Sequence, residues 1–185
     1  MRGKKRSEVR VLSGKDVFRG GVFRVRREHV VEPNGIEVSR EMVVHPGSVV
    51  VLPVFPDGRI LMIRQYRHAA GQYLWELVAG RKEQGESFEE GARRELKEET
   101  GYEASEFTQL LRVFPSPGFV TELMVIFLAK GLMTGTPWPE DDEKIQQRTF
   151  TLTKALEWIC SGKVRDAKSV AGILYYARFS AHRRK

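Results

Sequence analysis

The sequence contains a single cysteine, Cys160, in 185 residues. That excludes an internal disulfide and a thiolate metal cage, so neither a disulfide-stapled scaffold nor a zinc ribbon is open to this chain. The thiol falls in an amphipathic stretch and is expected to be buried and inert. No apolar run approaches the roughly 20 residues that a bilayer-spanning helix needs. The basic opening, residues 1–10, is followed by neither an apolar core segment nor a small-residue cleavage site, so a soluble, unprocessed, cytoplasmic protein is expected. Internal repeats and low-complexity segments are also missing, which sets aside solenoids and disordered linkers.

A chain of this length with 41% hydrophobic residues suffices for one domain with a real core and a short N-terminal appendage. The formal charge of +7 raises the question of nucleic acid, but Lys and Arg concentrate at residues 1–10 and 182–185, where charged tails are ordinarily just solvated. Arg64, Arg67, Arg81 and Arg94 are different. They flank an acidic segment in the interior and are placed to meet a phosphate. Nucleic acid and membrane are therefore not expected partners.

Residues 22–44 read as two strands around Glu32-Pro33-Asn34-Gly35, where Asn-Gly supplies the positive φ angles of a tight hairpin. The apolar run at 48–55, the turn Pro56-Asp57-Gly58 and the run at 59–67 read as adjacent antiparallel strands. Further strands are expected at 107–114, 122–129 and 146–152. Three helices stand out. The first covers 88–100, with Ser87 and Glu90 in capping-box spacing and Gly101 as terminator. The second covers 152–161 and stops at Gly162. The third follows Asp166 as N-cap and carries Val170, Ile173, Leu174 and Ala177 on one face. Helices and strands interleaved in this way predict an α/β sandwich on a mixed central sheet, with an N-terminal antiparallel hairpin region.

On the first helix Phe88, Ala92 and Leu96 recur every four residues as a core face. Glu95, Glu98 and Glu99 occupy another face at i, i+3 and i+4, where like charges destabilise the helix unless something neutralises them. A Glu-rich face is usually a solvated surface with Lys and Arg partners, and Arg93, Arg94 and Lys97 are at hand. The preceding segment weighs the other way. Gly80-Arg81-Lys82-Glu83-Gln84-Gly85-Glu86 is a turn-rich loop feeding the helix, able to offer carbonyls to a cation and amides to phosphate. Oxygen ligands without His or Cys favour Mg²⁺, or Mn²⁺, over zinc.

Gly80, five residues, Glu86, seven residues, then Arg94-Glu95-Leu96-Lys97-Glu98-Glu99-Thr100-Gly101-Tyr102 closely resembles the complete Nudix box. It runs over 23 consecutive residues and is far more specific than a lone glycine motif. The resemblance implies a Nudix-type α/β/α sandwich. It makes Glu95 and Glu99 the main metal ligands, Glu98 a further or water-bridged ligand with a catalytic share, and the Ala79 carbonyl a backbone ligand. Arg94 orients the glutamates, and Glu86 stabilises the loop. Ser116-Pro117-Gly118 followed by Glu122 resembles the Ser-Pro-Gly…Glu element of the ADP-ribose pyrophosphatase subgroup. Gln65-Tyr66-Arg67 and Trp75-Glu76-Leu77-Val78-Ala79-Gly80 also resemble that subgroup, with Val78 where it usually has proline. Arg67 is thereby implied as a phosphate contact, with Glu76, Arg81, Ser116, Pro117, Gly118 and Glu122 among the substrate-binding positions.

In these relatives the N-terminal hairpin exchanges between subunits, which places Arg40 and Glu41 on the partner's substrate and implies a homodimer. The implied layout is 1–45 for tail and hairpin, 46–181 for the Nudix hydrolase domain and 182–185 for a basic tail. The acidic loop Glu140-Asp141-Asp142-Glu143 lies where relatives keep their catalytic base. Glu143 is implied as an added metal contact, and Asp141 or Glu140 as base. The activity implied is Mg²⁺-dependent cleavage of ADP-ribose to AMP and ribose 5-phosphate. The alternatives are the same chemistry on another nucleotide sugar or dinucleotide, and a non-catalytic nucleotide- or RNA-binding relative.

Overall fold

The computed structural model describes residues 8–135 and 145–180. The chain separates into two units, one formed by residues up to Pro46 with Ser116–Glu122, the other by Gly47–Pro115 and the chain from Leu123 onward.

The first unit is an antiparallel meander of β1 (Arg10–Arg19), β2 (Arg24–Val31) and β3 (Glu37–Val44). The β2–β3 turn differs from the expected Asn-Gly pair of positive φ angles. Only Gly35 is left-handed, at φ 86°. Its N–H donates to the Glu32 carbonyl, and Glu32 N–H pairs with Ile36 O, which makes a three-residue loop closed by a left-handed glycine. Asn34 accepts from the Ile36 N–H instead. Strand β1 was not anticipated from sequence. Its register slips twice, between Val11 and Ser13 and between Asp16 and Phe18, so its side chains do not alternate with period two. Residues 116–122 lie along β3, with Val43 N–H bonded to Phe119 O and Thr121 N–H to Val43 O.

In the second unit, β4 (Ser48–Pro53) is buried at every position. It sits inside the sheet ordered β7-β4-β9-β8, made with β7 (Val78–Arg81), β8 (Tyr102–Val113) and β9 (Met124–Thr134). Pairing with β7 is antiparallel and with β9 parallel, so the sheet is mixed. Both faces are covered, which is why β4 reads as a continuous apolar run. Val49 and Val51 pack with Ala92 and Leu96 of α1 (Phe88–Thr100). Val50 and Leu52 pack with Ala155 of α2 (Leu152–Cys160) and Ile173 of α3 (Ala167–Tyr175). This is a helix–sheet–helix sandwich.

A second sheet, β10-β5-β6, contains β5 (Ile60–Arg67), β6 (Gln72–Glu76) and β10 (Gln146–Phe150). The expected β4–β5 hairpin is therefore corrected. Both edges of β4 are occupied, and after the turn at Gly58 only the bridge Val54–Ile60 joins the two strands before β5 enters the other sheet. Trp75, Phe150 and Trp158 close this sheet against α2, with the rings of Phe150 and Trp158 centred 4.6 Å apart.

Helix α1 starts and stops at the residues its caps dictate. Ser87 Oγ accepts from Glu90 N–H, the Glu90 carboxylate accepts from Ser87 N–H, and Gly101 closes the helix at φ 74°. Two side-chain expectations change. Cys160 is exposed rather than buried, because it lies on the open side of the last turn of α2. Leu174 is also exposed, since the buried face of α3 is Ser169, Gly172 and Ile173. No helix among the described residues is long and apolar enough to cross a membrane. Replacing Ser87 with Ala removes a cap that holds the acidic helix in register. Urea denaturation should show a loss of about 1 kcal/mol with an unchanged denaturant slope.

Candidate active site

Strand β7 lies beside β4 with Ala79 opposite Val50 and Gly80 opposite Val49. The chain then leaves the sheet through Lys82, whose N–H bonds Gly47 O, and turns at Gly85 with φ 90°. The Glu86 carboxylate accepts from Glu83 N–H at 2.6 Å, which ties the loop to itself. Because Ala92 and Leu96 are drawn into the core, the neighbouring positions Glu95 and Glu99 are laid over β7. A Cβ on Gly80 would stand 1.9 Å from the Glu95 carboxylate carbon, so only glycine leaves room for it. Glu99 is 3% exposed, and its carboxylate accepts from the Ala79 N–H at 3.1 Å. A buried carboxylate is costly unless such donors or a cation compensate it.

Arg94 holds the acidic side chains as a set. Its Nη1 donates to Glu95 at 2.8 Å and to Glu98 at 2.9 Å. Its Nη2 donates to Glu86 at 3.0 Å and to the Arg81 carbonyl at 3.0 Å. Burial disfavours the guanidinium charge, but the hydrogen bonds to Glu86, Glu95 and Glu98 outweigh it and raise the Arg94 pKa. The same contact holds Glu86 below the ordinary carboxylate range. Arg81 enters this arrangement through its backbone carbonyl. Glu98 is the most open of the set, with 40% of its side chain exposed.

Nearby on the second sheet, Arg67 and Glu76 form a two-pronged ion pair, Nε to Oε1 at 2.9 Å and Nη2 to Oε2 at 2.7 Å. Glu76 was expected among the substrate contacts, and here the structure differs. Its side chain is 1% exposed and its carboxylate is taken by Arg67 and Lys168. Strand alternation turns it inward, onto Arg67 and Lys168. Burial works to raise the Glu76 pKa, yet the hydrogen bonds from Arg67 and Lys168 prevail and lower it. Sequence reading missed three residues here: Lys168, Gln147, which donates to the Glu99 carbonyl at 3.0 Å, and Gln65, whose buried amide nitrogen has no partner among the described residues. Gln65 stands inside the Gln65-Tyr66-Arg67 motif and Lys168 in the stretch 161–168 that resembles the closing helices of the same subgroup, but neither was assigned a role, and Gln147 gives no local cue.

The remaining candidates belong to the first unit or lie outside the described residues. Ser116, Pro117, Gly118 and Glu122 belong to the first unit, where the Ser116 carbonyl accepts from Phe119 N–H and Glu122 lies 3.8 Å from His45 Nδ1. Arg40 and Glu41 are successive residues of β3 and take separate partners, Glu32 and Arg27. Glu140, Asp141, Asp142 and Glu143 lie outside the described residues.

Among the described residues, no three acidic or imidazole groups already converge as a metal cage. The donor set nevertheless fits a hard cation. Glu86, Glu95, Glu98 and Glu99 supply only oxygen, and the Arg94 guanidinium gathers three of them, Glu86, Glu95 and Glu98. The Gly80 cradle admits one carboxylate directly against the strand backbone.

A glycine loop feeding a helix whose carboxylates are gathered by one arginine, set in an α/β/α sandwich, is the arrangement of a known hydrolase class. A model of the NUDIX domain matches residues 44–170, and the chain belongs to the Nudix hydrolase family. Among its relatives, the ADP-ribose pyrophosphatase of Bacillus subtilis strain 168 is 38% identical over 170 residues, covering 91% of this chain and 92% of that protein. The methanol dehydrogenase activator of Bacillus methanolicus is 34% identical over the same proportions. A crystal structure of an ADP compounds hydrolase superposes with a TM-score of 0.81 over 95% of each chain, at 24% identity, a likeness of fold.

Substituting Gly80 with Ala should displace Glu95 while the fold persists, seen as unchanged circular dichroism and weakened titration of Mn²⁺. Substituting Glu76 with Gln leaves Arg67 and Lys168 without their shared counter-ion and should cost about 3 kcal/mol in denaturant unfolding. Because its folded pKa is depressed, Glu76 contributes stability above its unfolded pKa that is lost as the pH falls toward the folded value. The Glu76→Gln variant should show a flatter acid limb.

Proposed function

We propose that the chain hydrolyses the diphosphate bond of ADP-ribose, giving AMP and ribose 5-phosphate, with Mg²⁺ or Mn²⁺ as cofactor. The observation that carries this reading is the group of Glu95 and Glu98 held by Arg94, with Glu95 against the Gly80 backbone and Glu99 on the Ala79 N–H. Glu95, Glu99 and the Ala79 carbonyl would hold the cation, with Glu98 assisting. Bound there, it neutralises phosphate oxygens and lowers the pKa of a water toward neutrality.

The chain's own groups do the rest. Arg67 presents the guanidinium edge not used by Glu76 to a phosphate, a geometry suited to planar, two-point recognition. Arg94 keeps the carboxylates from rearranging when the substrate's charge arrives. A carboxylate of the 140–143 loop, Asp141 or Glu140, takes the proton of the attacking water, with Glu143 as an additional cation contact. The water oxygen bonds to one phosphorus, and the bridging oxygen leaves with the other phosphate. Ser116, Pro117, Gly118, Glu122 and Arg81 belong to the same proposal as contacts to the substrate. The Bacillus subtilis relative, an ADP-ribose pyrophosphatase over nearly its whole length, supports this choice of substrate.

A homodimer in the cytoplasm completes the proposal, with Arg40 and Glu41 reaching the partner's substrate. It is supported by the apolar side chains that the first unit leaves exposed, Val11, Val17, Phe18, Val22 and Phe23.

Purified protein with Mg²⁺ and ADP-ribose should yield AMP and ribose 5-phosphate by chromatography. Excess chelator should abolish turnover, and Mg²⁺ or Mn²⁺ should restore it. Glu99→Gln should lose several orders of magnitude in rate with its fold intact. Turnover of a different nucleotide sugar or dinucleotide with none on ADP-ribose would redirect the substrate. An active Glu99→Gln enzyme would remove Glu99 from the cation site.

A further inference from the structure

Arg67 is held from one side only. Its Nε and Nη2 are spent on Glu76, and Nη1 has no hydrogen-bond partner among the described residues. The Glu76 carboxylate is itself fastened from behind by α3, since Lys168 Nζ donates to Glu76 Oε2 and, at 2.8 Å, to Asp166 Oδ1. Asp166 accepts from the Ser169 N–H at 3.0 Å, and Ser169 Oγ in turn accepts from the Leu77 N–H at 2.7 Å. The first turn of α3 therefore grips β6 at the side chain of residue 76 and continues to the backbone of residue 77. Residues separated by 92 positions in the chain meet here.

Charge explains why a lysine is required. Glu76 and Asp166 are two buried or half-buried carboxylates, and Arg67 alone would face both. In that balance its attraction for an incoming phosphate would be cancelled by its neighbours. Lys168, with 13% of its side chain exposed, balances the second carboxylate, so the four groups sum to zero rather than to one net negative charge beside Arg67. It also fixes Glu76 Oε2, and with it the plane in which the guanidinium lies.

We infer that Lys168 is a positioning residue for the diphosphate substrate, acting through Glu76 to orient Arg67 and removing one net negative charge from its surroundings. The inference rests on the functional reading above, in which Arg67 meets a phosphate. Lys168 itself does not touch the substrate.

The test is steady-state kinetics of ADP-ribose hydrolysis by full-length wild type, Lys168→Met, Lys168→Gln and Arg67→Met, with thermal unfolding of each. Lys168→Met should raise KM about tenfold with kcat within about twofold of wild type. Lys168→Gln, which retains a donor to Glu76, should shift KM in the same direction by less, and it carries the test if the Met variant does not fold. Arg67→Met should raise KM further than either. If both Lys168 variants keep the wild-type KM and only melt earlier, while Arg67→Met raises it, Lys168 is merely structural and this inference falls alone. A wild-type KM in Arg67→Met overturns the role of Arg67 and this inference together. Absence of wild-type turnover overturns the functional reading, and this inference with it.

Discussion

The contact on which the site depends is that of one guanidinium with three carboxylates. Arg94 meets Glu86, Glu95 and Glu98 at 2.8–3.0 Å, and without it the acidic face of α1 would repel itself apart. Four oxygen-only side chains, Glu86, Glu95, Glu98 and Glu99, are thereby gathered at one place, a donor set that suits a hard cation. The same arginine bonds the Arg81 carbonyl, so the loop, the helix and the end of β7 are restrained together. The geometry of the carboxylates thus depends on one residue.

The fold serves this contact by fixing the helix over a strand that cannot move. Strand β4 is sealed on both faces and both edges, so β7 and α1, which pack against it, have a stationary reference. Gly80 then lets the Glu95 carboxylate rest on the backbone, and the Ala79 N–H receives Glu99. On the other sheet the chemistry is assembled differently. Arg67 and Glu76 lie on neighbouring strands, and a helix from much later in the chain locks them. The two halves of the site thus differ in kind: one is written locally in a loop and helix, the other is built from distant pieces.

That difference decides what could be read in advance. The limits of α1 were legible because Ser87, Glu90 and Gly101 are local instructions, and Asp166 marks α3 for the same reason. The alternation around Pro33-Asn34-Gly35 was enough for a hairpin, although the left-handed residue is Gly35 alone. Pairing was less legible. An apolar run such as β4 looks the same whether it pairs with the next strand or with β7 and β9, so the expected β4–β5 hairpin was misread. The slips in β1 erased the alternation that would have announced it. Motif membership brought Glu76 to notice but could not tell which way its side chain points, and the link from Lys168 to Glu76 was hidden because the two are remote in sequence.

The central claim is that this group of carboxylates binds a divalent cation through Glu95 and Glu99. Electron paramagnetic resonance of free Mn²⁺, titrated into the full-length protein and into the Glu95→Gln/Glu99→Gln variant, tests it without relying on turnover. The account predicts saturable loss of the free-ion signal with the wild type and little loss with the variant. Equal binding by both proteins, or none by the wild type, would contradict it.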